Sequence, residues 1–533
     1  MKRLFVVALV LTSIHANAAV ISAADDGLLG LYQADSFAKM QGDAPCKDCR
    51  ADLQKTNPQA FWYFKHELIA VPQASTTIAG YSQAAYEQID NTLNALPPLV
   101  WLGSNQVIPQ AKISADGHKI ALDSGETLDF GIVDKISTNL SYWNDSTLKF
   151  FKQRDLRLRG EIADGKFIAR TVWPLDFKLD LNAKTQPLGK TESLKSLVQF
   201  EHGGAKSAYE SRLLWGNASN SNGKTVMAFM LNGAQGDDDE AHGGHFAVVT
   251  GRMEADGSYA KWIVNNYYNL ASNSEKGIIA AATPMDKYLM DLNNGQSYYR
   301  PSYMLVAVLK NERVPAQFQA ATNRIYNHFY RNDFVYDHSR DNCAGISIDT
   351  LRALGWNIPT RGVESQLKAT GAYFYVSATD NSLSNGRAAY DYLNTETTRL
   401  FPAVAFDAIS NDLFKRLLNP YSKALQNGNL ERQLKQDIEA IYFVRIPQIP
   451  SSRAFGKAPV YSFNQFMSQA PADRSQWKMV PTTPNPLPSE LKDGLALKLK
   501  KPSLVPWPAV VVLALFLASL IWCVRKLRNK FRG

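Results

Sequence analysis

Residues 339–356 read SRDNCAGISIDTLRALGW and place a cysteine, Cys343, where a polar turn gives way to an apolar helical pattern. Asp341 and Asn342 are residue types that cap helices, so the spacing predicts a helix that begins at Cys343. A thiol in the first helical turn meets unsatisfied backbone N–H groups and the positive end of the helix dipole. Both favour the thiolate, so the sequence predicts a pKa for Cys343 below that of a free thiol.

The two ends of the chain predict export followed by membrane anchoring. Residues 1–18 combine two basic residues, a short apolar core and an Ala-Asn-Ala site, which is the pattern of a secretory signal peptide. Residues 504–524 carry no charge and are long enough to cross a bilayer, with tryptophans near both ends. The basic tail 525–533 follows, and the positive-inside rule places it in the cytoplasm. We therefore expect residues 19–503 to be exported and tethered.

The charge balance argues against a role in nucleic-acid binding. The chain has a formal net charge of +9, but Lys2, Arg3 and the five cations after Val524 account for most of it. The exported part is therefore nearly neutral, and it has no basic block of the kind that nucleic acid requires. We accordingly predict no nucleic-acid partner.

Cysteine usage singles out Cys343. Cys46 and Cys49, in APCKDCR, are close enough to form a local disulfide in an oxidising compartment. Cys343 is then the odd cysteine of the exported part, and such a thiol is either a buried, inert side chain or a reactive one. Cys523 lies in the predicted membrane segment.

Changes of pattern along the chain predict several units. Helical spacing marks 84–96, short strands with Asp-Gly turns fill 105–200, and 371–470 reads as mainly helical, most clearly at LERQLKQDIEAIYF. Four prolines within 481–488 favour an extended segment. The predicted units are a signal peptide (1–18), an N-terminal module that is helical and then β-rich (19–204), a central domain (205–370), a mainly helical region (371–479), a Pro-rich stalk (480–503), a transmembrane helix (504–524) and a cytoplasmic tail (525–533).

A thiolate nucleophile needs a base, and His245 has the most favourable position among the exported histidines. It begins an apolar strand after two glycines, so it projects from a rigid edge. If this strand pairs with the next across an Asp-Gly turn, its partner falls close to Asn265 and Asn266, which interrupt an apolar run. Either asparagine would orient the imidazole, and a one-residue slip in register would exchange them.

The stretch DDDEAHGGH offers a rival metal site. It places two histidines, His242 and His245, beside a run of carboxylates: Asp237, Asp238, Asp239 and Glu240. Such residues are able to hold zinc or another divalent ion. However, the helical HExxH frame is missing and two glycines interrupt the segment, so a solvated acidic loop is the simpler interpretation. We predict no metal and no cofactor.

The cysteine segment also carries a family resemblance. DNCAGISIDTLRALGWNIPTR resembles the nucleophile segment of the NlpC-type papain-like peptidases, in which Asp-Cys-Ser-Gly opens the catalytic helix and a Pro-containing segment follows. Ala344 replaces the usual small hydroxyl residue after the cysteine. The order of His245, the asparagine and Cys343 resembles the circularly permuted branch of this superfamily. Within that branch, the Lnb-type N-terminal periplasmic domain family has similar Gly-His-Phe-like and Asn-Cys segments.

The resemblance covers roughly 205–370 and implies an α+β fold. This fold would be a permuted papain-like domain with an antiparallel sheet and a nucleophile helix, joined to a β-rich N-terminal module, a helical C-terminal region and one C-terminal transmembrane helix. It also implies a thiol hydrolase, in which Cys343 attacks a carbonyl carbon, His245 acts as base and then as acid, and Asn266 or Asn265 orients the ring.

In a bacterium, the resemblance implies a single-pass inner-membrane protein whose bulk lies in the periplasm and whose C-terminus is cytoplasmic. A cell-wall peptide or a lipid-linked amide or ester would be its substrate. The alternative is a non-catalytic envelope assembly or binding protein that retains the papain-like fold.

Overall fold

The computed structural model describes most of the chain between Val20 and Lys530. The signal peptide predicted at 1–18, the helix predicted at 84–96 and the cysteine pair Cys46 and Cys49 lie outside the described residues. The residues outside the description are 1–19, 24–25, 27–28, 33–36, 42–57, 65–66, 73–98, 138, 200–205, 271, 275–279, 333, 419–427, 452, 481, 492–502 and 531–533.

The described elements are interleaved along the chain. The strands are β1 (Ile21–Ser22), β2 (Phe37–Gln41), β3 (Leu68–Pro72), β4 (Val100–Trp101), β5 (Gln106–Ile113), β6 (Lys119–Leu122), β7 (Thr127–Ile132), β8 (Leu156–Ala163), β9 (Lys166–Pro174), β10 (Glu210–Gly216), β11 (Thr225–Asn232), β12 (His245–Arg252), β13 (Ile263–Asn266), β14 (Ser272–Ser274), β15 (Ala281–Pro284), β16 (Ser302–Leu309), β17 (Ile438–Ile446) and β18 (Thr482–Pro484). The α-helices are α1 (Pro58–Tyr63), α2 (Asp145–Phe151), α3 (Leu194–Gln199), α4 (Met285–Met290), α5 (Arg313–Tyr330), α6 (Cys343–Ala353), α7 (Gln366–Thr379), α8 (Leu383–Asn394), α9 (Thr397–Leu400), α10 (Pro402–Leu418), α11 (Asn429–Asp437), α12 (Phe463–Gln469) and α13 (Trp507–Lys530).

A mixed sheet of ten strands forms the centre of the molecule. Its order is β10-β17-β16-β11-β12-β13-β15-β4-β3-β2, and every pair is antiparallel except β15 with β4. The strands β11 and β16 are buried along their whole length, which their nearly continuous apolar sequences require. One face packs against α5, α6 and α10, and the other face packs against a second, smaller sheet. The α+β class is therefore confirmed, while the papain-like permutation stays a prediction.

The smaller sheet has six strands: β1 pairs with β5, and the other five strands form a barrel. The barrel runs β5-β6-β7-β9-β8 and closes because β8 also pairs with β5. The pair β7–β9 is parallel, and α2 lies between β7 and β8 in the chain, which is the Greek-key topology of an OB-fold barrel. The turn at Asp164 and Gly165 joins β8 to β9, and both residues have positive φ, as a two-residue hairpin requires. The strands predicted around this Asp-Gly turn are therefore β8 and β9 of the barrel.

Buried ion pairs fix the barrel to the central sheet. Arg157 and Arg159 of β8 donate to the same Oδ2 atom of Asp286, at 3.0 and 2.7 Å. Asp286 is in α4, which follows β15 of the large sheet, and its side chain is fully buried. Asp26 forms a second ion pair with Arg157. Since removing one partner would leave uncompensated buried charge, these contacts hold the barrel in one position.

Two boundaries differ from the predicted units. The strands β2, β3 and β4 fall within 19–204 but belong to the ten-stranded sheet. In the region predicted as mainly helical, α11 ends at Asp437 and the chain continues as β17, which inserts between β10 and β16. The sequence of β17, IEAIYFVRI, is rich in β-branched and aromatic residues, and its burial between two strands overrides the helical spacing read from LERQLKQDIEAIYF.

The C-terminal segment also differs in part from its prediction. At the start of the predicted Pro-rich stalk, Thr482–Pro484 pairs with β14, and Leu487 is buried. Further on, α13 is the one helix in the described part of the chain that is long and apolar enough to cross a membrane, over Trp507–Asn529. The predicted membrane segment therefore coincides with a candidate spanning helix.

Candidate active site

His245 is the first residue of the central strand β12. The preceding Gly244 has a φ of +76°, and a Cβ atom there would lie 2.4 Å from the carbonyl oxygen of Asn232 on β11. Only glycine accommodates both this backbone conformation and this close approach. Gly244 thus allows the chain to leave the 3-10 helix Asp239–Gly243 and enter the sheet directly, which places His245 on a rigid strand end.

The register of β12 and β13 decides which asparagine reaches His245. The ladder pairs Val248 with Asn265, and continuing it by one step places Asn266 opposite Ala247. Because Ala247 and His245 share one face of β12, Asn266 is the diagonal neighbour of His245 on that face. The Oδ1 atom of Asn266 forms a hydrogen bond with Nε2 of His245, and both side chains are buried.

Asn265 points to the opposite face and belongs to a separate network. Its amide exchanges two hydrogen bonds with Gln319 of α5, at 3.1 and 2.8 Å, and donates to the carbonyl oxygen of Val248 at 3.2 Å. Gln319 also accepts from Thr250 at 2.6 Å. These bonds tie α5 to β12 and β13. The Asn266 side chain therefore contacts His245, whereas the Asn265 side chain links β13 to α5 through hydrogen bonds.

The hydrogen bond to Asn266 also sets the tautomer of the His245 ring. An amide oxygen only accepts hydrogen bonds, so Nε2 must carry a proton. In the neutral imidazole the lone pair is then on Nδ1. Nδ1 is the nitrogen that can accept a proton from a neighbouring thiol, as a general base requires.

Cys343 is the first residue of α6, as predicted, and of the two candidate caps, Asp341 and Asn342, it is Asn342 that forms the N-cap. The Oδ1 atom of Asn342 accepts hydrogen bonds from the backbone N–H groups of Ala344 and Gly345, at 3.0 and 2.9 Å. Its amide nitrogen donates to the carbonyl oxygen of Leu400 at 3.0 Å. The cap therefore satisfies two of the unpaired N–H groups at the helix start and fixes this start to the end of α9.

Cys343 and His245 line one cavity of about 320 Å³, although they are nearly a hundred positions apart in the chain. The Cys343 thiol is close enough to the backbone N–H of Phe246, the residue after His245, to accept a hydrogen bond from it. Cys343 is only 3% exposed, and the surface that its thiol shares with open space faces the cavity. Five aromatic side chains also line the cavity: Tyr268, Tyr336, Tyr392, Phe466 and Trp477.

The ionisation of Cys343 differs from its prediction. Burial raises the pKa of the thiol above its ordinary value, and this desolvation outweighs the groups that favour the thiolate. Those groups are the N–H of Phe246, the hydroxyl of Tyr336, the N–H of Ala344 and, at longer range, the guanidinium of Arg300. The helix start thus supplies donors, but the closed surroundings keep the resting side chain a neutral thiol. A base is then needed to activate it at neutral pH.

Two residues of the site have no signal in the sequence. The hydroxyl of Tyr336 accepts from the backbone N–H of Cys343 at 3.4 Å, and burial raises the pKa of Tyr336 well above its ordinary value, so it stays a neutral donor. Arg300 is buried, lines the cavity, and donates to Oε1 of Gln296 and to the carbonyl oxygen of Gly233. Neither residue belongs to a recognisable motif, because both reach the cavity from loops that only the fold brings together.

We expect the alkylation of Cys343 by iodoacetamide to be slow at neutral pH and to accelerate in the alkaline range. A raised pKa leaves the thiol protonated at neutral pH, and the thiolate, the reacting form, accumulates only as the pH rises through that pKa. The midpoint of the rate profile of the wild-type chain should lie above about 8.5, the value of a free cysteine. Tyr336→Phe should move it further upward, because it removes a donor to the thiolate. A midpoint below pH 7 would contradict this prediction and indicate a preformed thiolate–imidazolium pair.

We expect the two asparagines to respond differently to substitution. Asn266→Ala should lower kcat by about 10- to 100-fold with little change in KM, because it releases the His245 ring from its tautomer and orientation. Asn265→Ala is the matched control, since it breaks the network with Gln319 and should lower thermal stability while leaving kcat within a few-fold. Steady-state kinetics and melting curves of both variants check this. Equal losses of kcat would contradict the assignment.

The rival metal site gains no geometric support. Among the described residues, no group of three or more His, Cys, Asp or Glu side chains is arranged to hold a metal ion. Instead, Nε2 of His242 lies 3.3 Å from Oδ1 of Asp239, and its ring contacts Phe466 edge-on. Burial lowers the pKa of His242, which favours the neutral ring. His242 and His245 therefore have separate partners.

Comparisons of the sequence and the structure with family models, curated proteins and solved structures gave no match. The chemistry of the site therefore has to be argued from its own residues.

Proposed function

We propose that this protein is a membrane-tethered thiol hydrolase that cleaves an amide or ester bond. The observation that carries the proposal is the meeting of Cys343 at a capped helix start with His245 in one cavity, with Asn266 bonded to the far nitrogen of the ring. Nucleophile, base and orienting group are the three parts of a covalent acyl-transfer site. The cavity leaves room for a substrate beside the thiol, and it is lined by both aromatic and polar side chains.

The first half of the reaction forms a thioester. The sulfur of Cys343 bonds to the substrate carbonyl carbon while Nδ1 of His245 takes the thiol proton, which offsets the raised pKa of the thiol. The hydroxyl of Tyr336 accepts from the backbone N–H of Cys343 and keeps its own proton, so it is a donor beside the sulfur that is suited to stabilise the carbonyl oxygen as it gains negative charge. The carbon–nitrogen or carbon–oxygen bond then breaks, and the imidazolium gives its proton to the leaving amine or alcohol.

The second half regenerates the enzyme. A water molecule attacks the thioester carbonyl carbon, and His245 takes a proton from this water. The carbon–sulfur bond breaks, the carboxylic acid leaves, and the sulfur of Cys343 recovers its proton from the imidazolium. The Asn266 hydrogen bond keeps Nε2 protonated throughout, so Nδ1 serves as base and acid in both halves.

Trapping of the thioester tests this function. The full chain in detergent micelles is mixed with a panel of activated acyl esters, quenched in acid, and examined by intact-protein and peptide mass spectrometry. We expect one acyl group per chain, located on Cys343 and released by hydroxylamine. Cys523→Ala is the matched control, because Cys523 is the other free cysteine of the described residues and lies in α13, so this variant should be acylated normally. Acylation that persists in Cys343→Ala would contradict the proposal.

The burial of Cys343 favours a second candidate, a non-catalytic envelope assembly or binding protein. A thiol that is 3% exposed and held neutral resembles an inert core side chain. Complementation separates the two candidates: under the binding hypothesis, a chain carrying Cys343→Ala restores every phenotype of a deletion strain, whereas under the hydrolase hypothesis it behaves as a null.

We further propose that α13 spans the inner membrane, with the folded part in the periplasm. The candidate spanning helix and the basic residues that follow it support this orientation by the positive-inside rule.

A further inference from the structure

Arg300 is a buried cation in the wall of the Cys343 cavity. It lies two residues before β16 and is only 2% exposed. The strand β16 pairs with β11 at Ser302 and Asn232, and β11 pairs with β12 at Asn232 and His245. Because neighbouring strands lie about 4.8 Å apart, the chain enters β16 roughly 10 Å from His245. Arg300 is therefore placed to contact a part of the substrate that lies next to the reacting bond.

The hydrogen bonds of Arg300 fix its guanidinium and leave two donors over. Nε and Nη2 donate to Oε1 of Gln296, at 3.0 and 2.6 Å, and Nη1 donates to the carbonyl oxygen of Gly233 at 3.2 Å. A guanidinium has five N–H donors, so these three bonds leave one donor on each Nη nitrogen. The side chain is therefore held in place while it keeps two donors of the kind that a carboxylate accepts.

The acceptors of Arg300 are neutral, so its positive charge is poorly compensated. Among the residues that the structure describes, no carboxylate lies within ion-pair distance of its guanidinium, and Asp238 attracts it only at longer range. Burial lowers the pKa of Arg300, and the attraction of nearby groups does not cancel this effect. A buried cation without a counter-ion is costly, and a bound anion reduces that cost.

Glu240 also lines the cavity and carries the opposite charge. Its side chain is exposed to solvent, whereas Arg300 is buried. Water and salt screen an exposed charge, but a buried charge acts through a medium of lower dielectric constant. Arg300 therefore dominates the electrostatic potential inside the cavity, and this potential favours an anion.

We propose that Arg300 selects substrates that carry a carboxylate close to the scissile amide or ester bond. This inference rests on the proposed hydrolase function and adds to it a chemical requirement on the substrate. The carboxylate accepts hydrogen bonds from the two Nη nitrogens and becomes the counter-ion of the guanidinium. A neutral substrate of the same shape leaves the buried charge without a partner, so it binds more weakly.

Two alkylating reagents of nearly equal size test the inference without requiring hydrolysis. Iodoacetate carries a carboxylate, and iodoacetamide is its neutral counterpart. Both react with the same thiolate, so the ratio of their rates does not depend on the pKa of Cys343. The rates are measured by peptide mass spectrometry on the full chain in micelles, and the chain unfolded in urea gives the reference. We expect the ratio of the iodoacetate rate to the iodoacetamide rate to be at least about 10-fold higher in the native chain.

Variants of Arg300 identify the source of this preference. Arg300→Gln should return the ratio to its unfolded value and leave the iodoacetamide rate within about 3-fold, whereas Arg300→Lys should keep part of the preference because it retains a cation. Arg340→Gln is the matched control, because Arg340 is partly exposed, pairs with Asp337 and does not line the cavity. Equal ratios in native and unfolded wild-type chain, a preference that survives Arg300→Gln, or an equal slowing of both reagents by that variant would overturn the inference.

A pair of activated esters separates this inference from the proposed function. The p-nitrophenyl half-ester of adipic acid has a free carboxylate, and the p-nitrophenyl ester of adipamic acid has a carboxamide in its place. We expect the half-ester to acylate Cys343 at least about 10-fold faster. Acylation at equal rates would overturn the inference alone. Acylation by neither ester, in a chain whose Cys343 is still alkylated, would overturn the proposed function and the inference with it.

Discussion

Cys343→Ala is expected to lower kcat/KM for the hydrolysed amide or ester by at least about 1,000-fold. The substitution removes the only atom of the site that can form the covalent intermediate, and the loss of a nucleophile in comparable sites leaves only the catalysis supplied by binding and the oxyanion donors. His245→Ala should cause a loss of similar size, because the thiol of Cys343 has a raised pKa and is not ionised at neutral pH without a base.

Combining Cys343→Ala with His245→Ala tests whether the two residues act as one catalytic unit. Groups that act as a unit are strongly non-additive, so Cys343→Ala combined with His245→Ala should be no slower than either single variant within a few-fold. Rates are measured with the full chain in micelles, and Cys523→Ala serves as the control for loss of a cysteine outside the cavity. Multiplicative losses, or more than a tenth of wild-type activity in Cys343→Ala, would show that the two residues do not form one catalytic unit.

Asp286→Ala is expected to lower the free energy of unfolding by about 3–5 kcal/mol, the largest stability effect of any single substitution considered. It leaves the guanidinium groups of Arg157 and Arg159 buried, with Asp26 as the remaining carboxylate beside them. The measurement is chemical denaturation of the full chain in micelles, followed by tryptophan fluorescence. Asp123→Ala, at an exposed turn of the barrel, is the control and should change the free energy by less than about 0.5 kcal/mol.

The ionisation of Asp286 also makes the free energy of unfolding depend on pH. Burial by itself raises the pKa of Asp286, but the charges and hydrogen bonds of Arg159 and Arg157 outweigh it, so the net pKa is lowered. A lowered pKa in the folded state contributes stability that is present above the unfolded value near 3.9 and is lost as the pH falls through the folded value. The difference between wild type and Asp286→Ala should therefore be constant near neutral pH and shrink below about pH 4. A difference that grows on acidification would contradict the ion-pair explanation.

Local features of the sequence predicted the parts of the site that depend on a few neighbouring residues. The helix begins at Cys343 with Asn342 as its cap, and the hairpin turns follow the Asp-Gly pairs, because capping and turn geometry are decided by side chains within one or two positions. The glycine at position 244, just before His245, is also a local feature, because the backbone there has a positive φ. The apolar C-terminal helix is also evident from composition alone.

The choice between Asn265 and Asn266 depended on the tertiary structure. A shift of one residue in the pairing of β12 with β13 would exchange their faces, and the hydrophobic pattern is apolar on both faces of these buried strands. Contacts made by α5 on one face and by the cavity on the other therefore decide the register. The same reason explains β17, whose apolar residues suit a helix or a buried strand equally until β10 and β16 enclose them.

By itself, then, the sequence determined where the helix of Cys343 starts, where the strand of His245 starts and where the candidate membrane helix lies. Only the tertiary structure decided that Cys343 and His245 share a cavity, that Tyr336 and Arg300 join them, and that the thiol is held neutral. The physical reason is range: a cap or a turn is set by adjacent residues, whereas desolvation and the convergence of side chains arise from segments that are far apart in the chain.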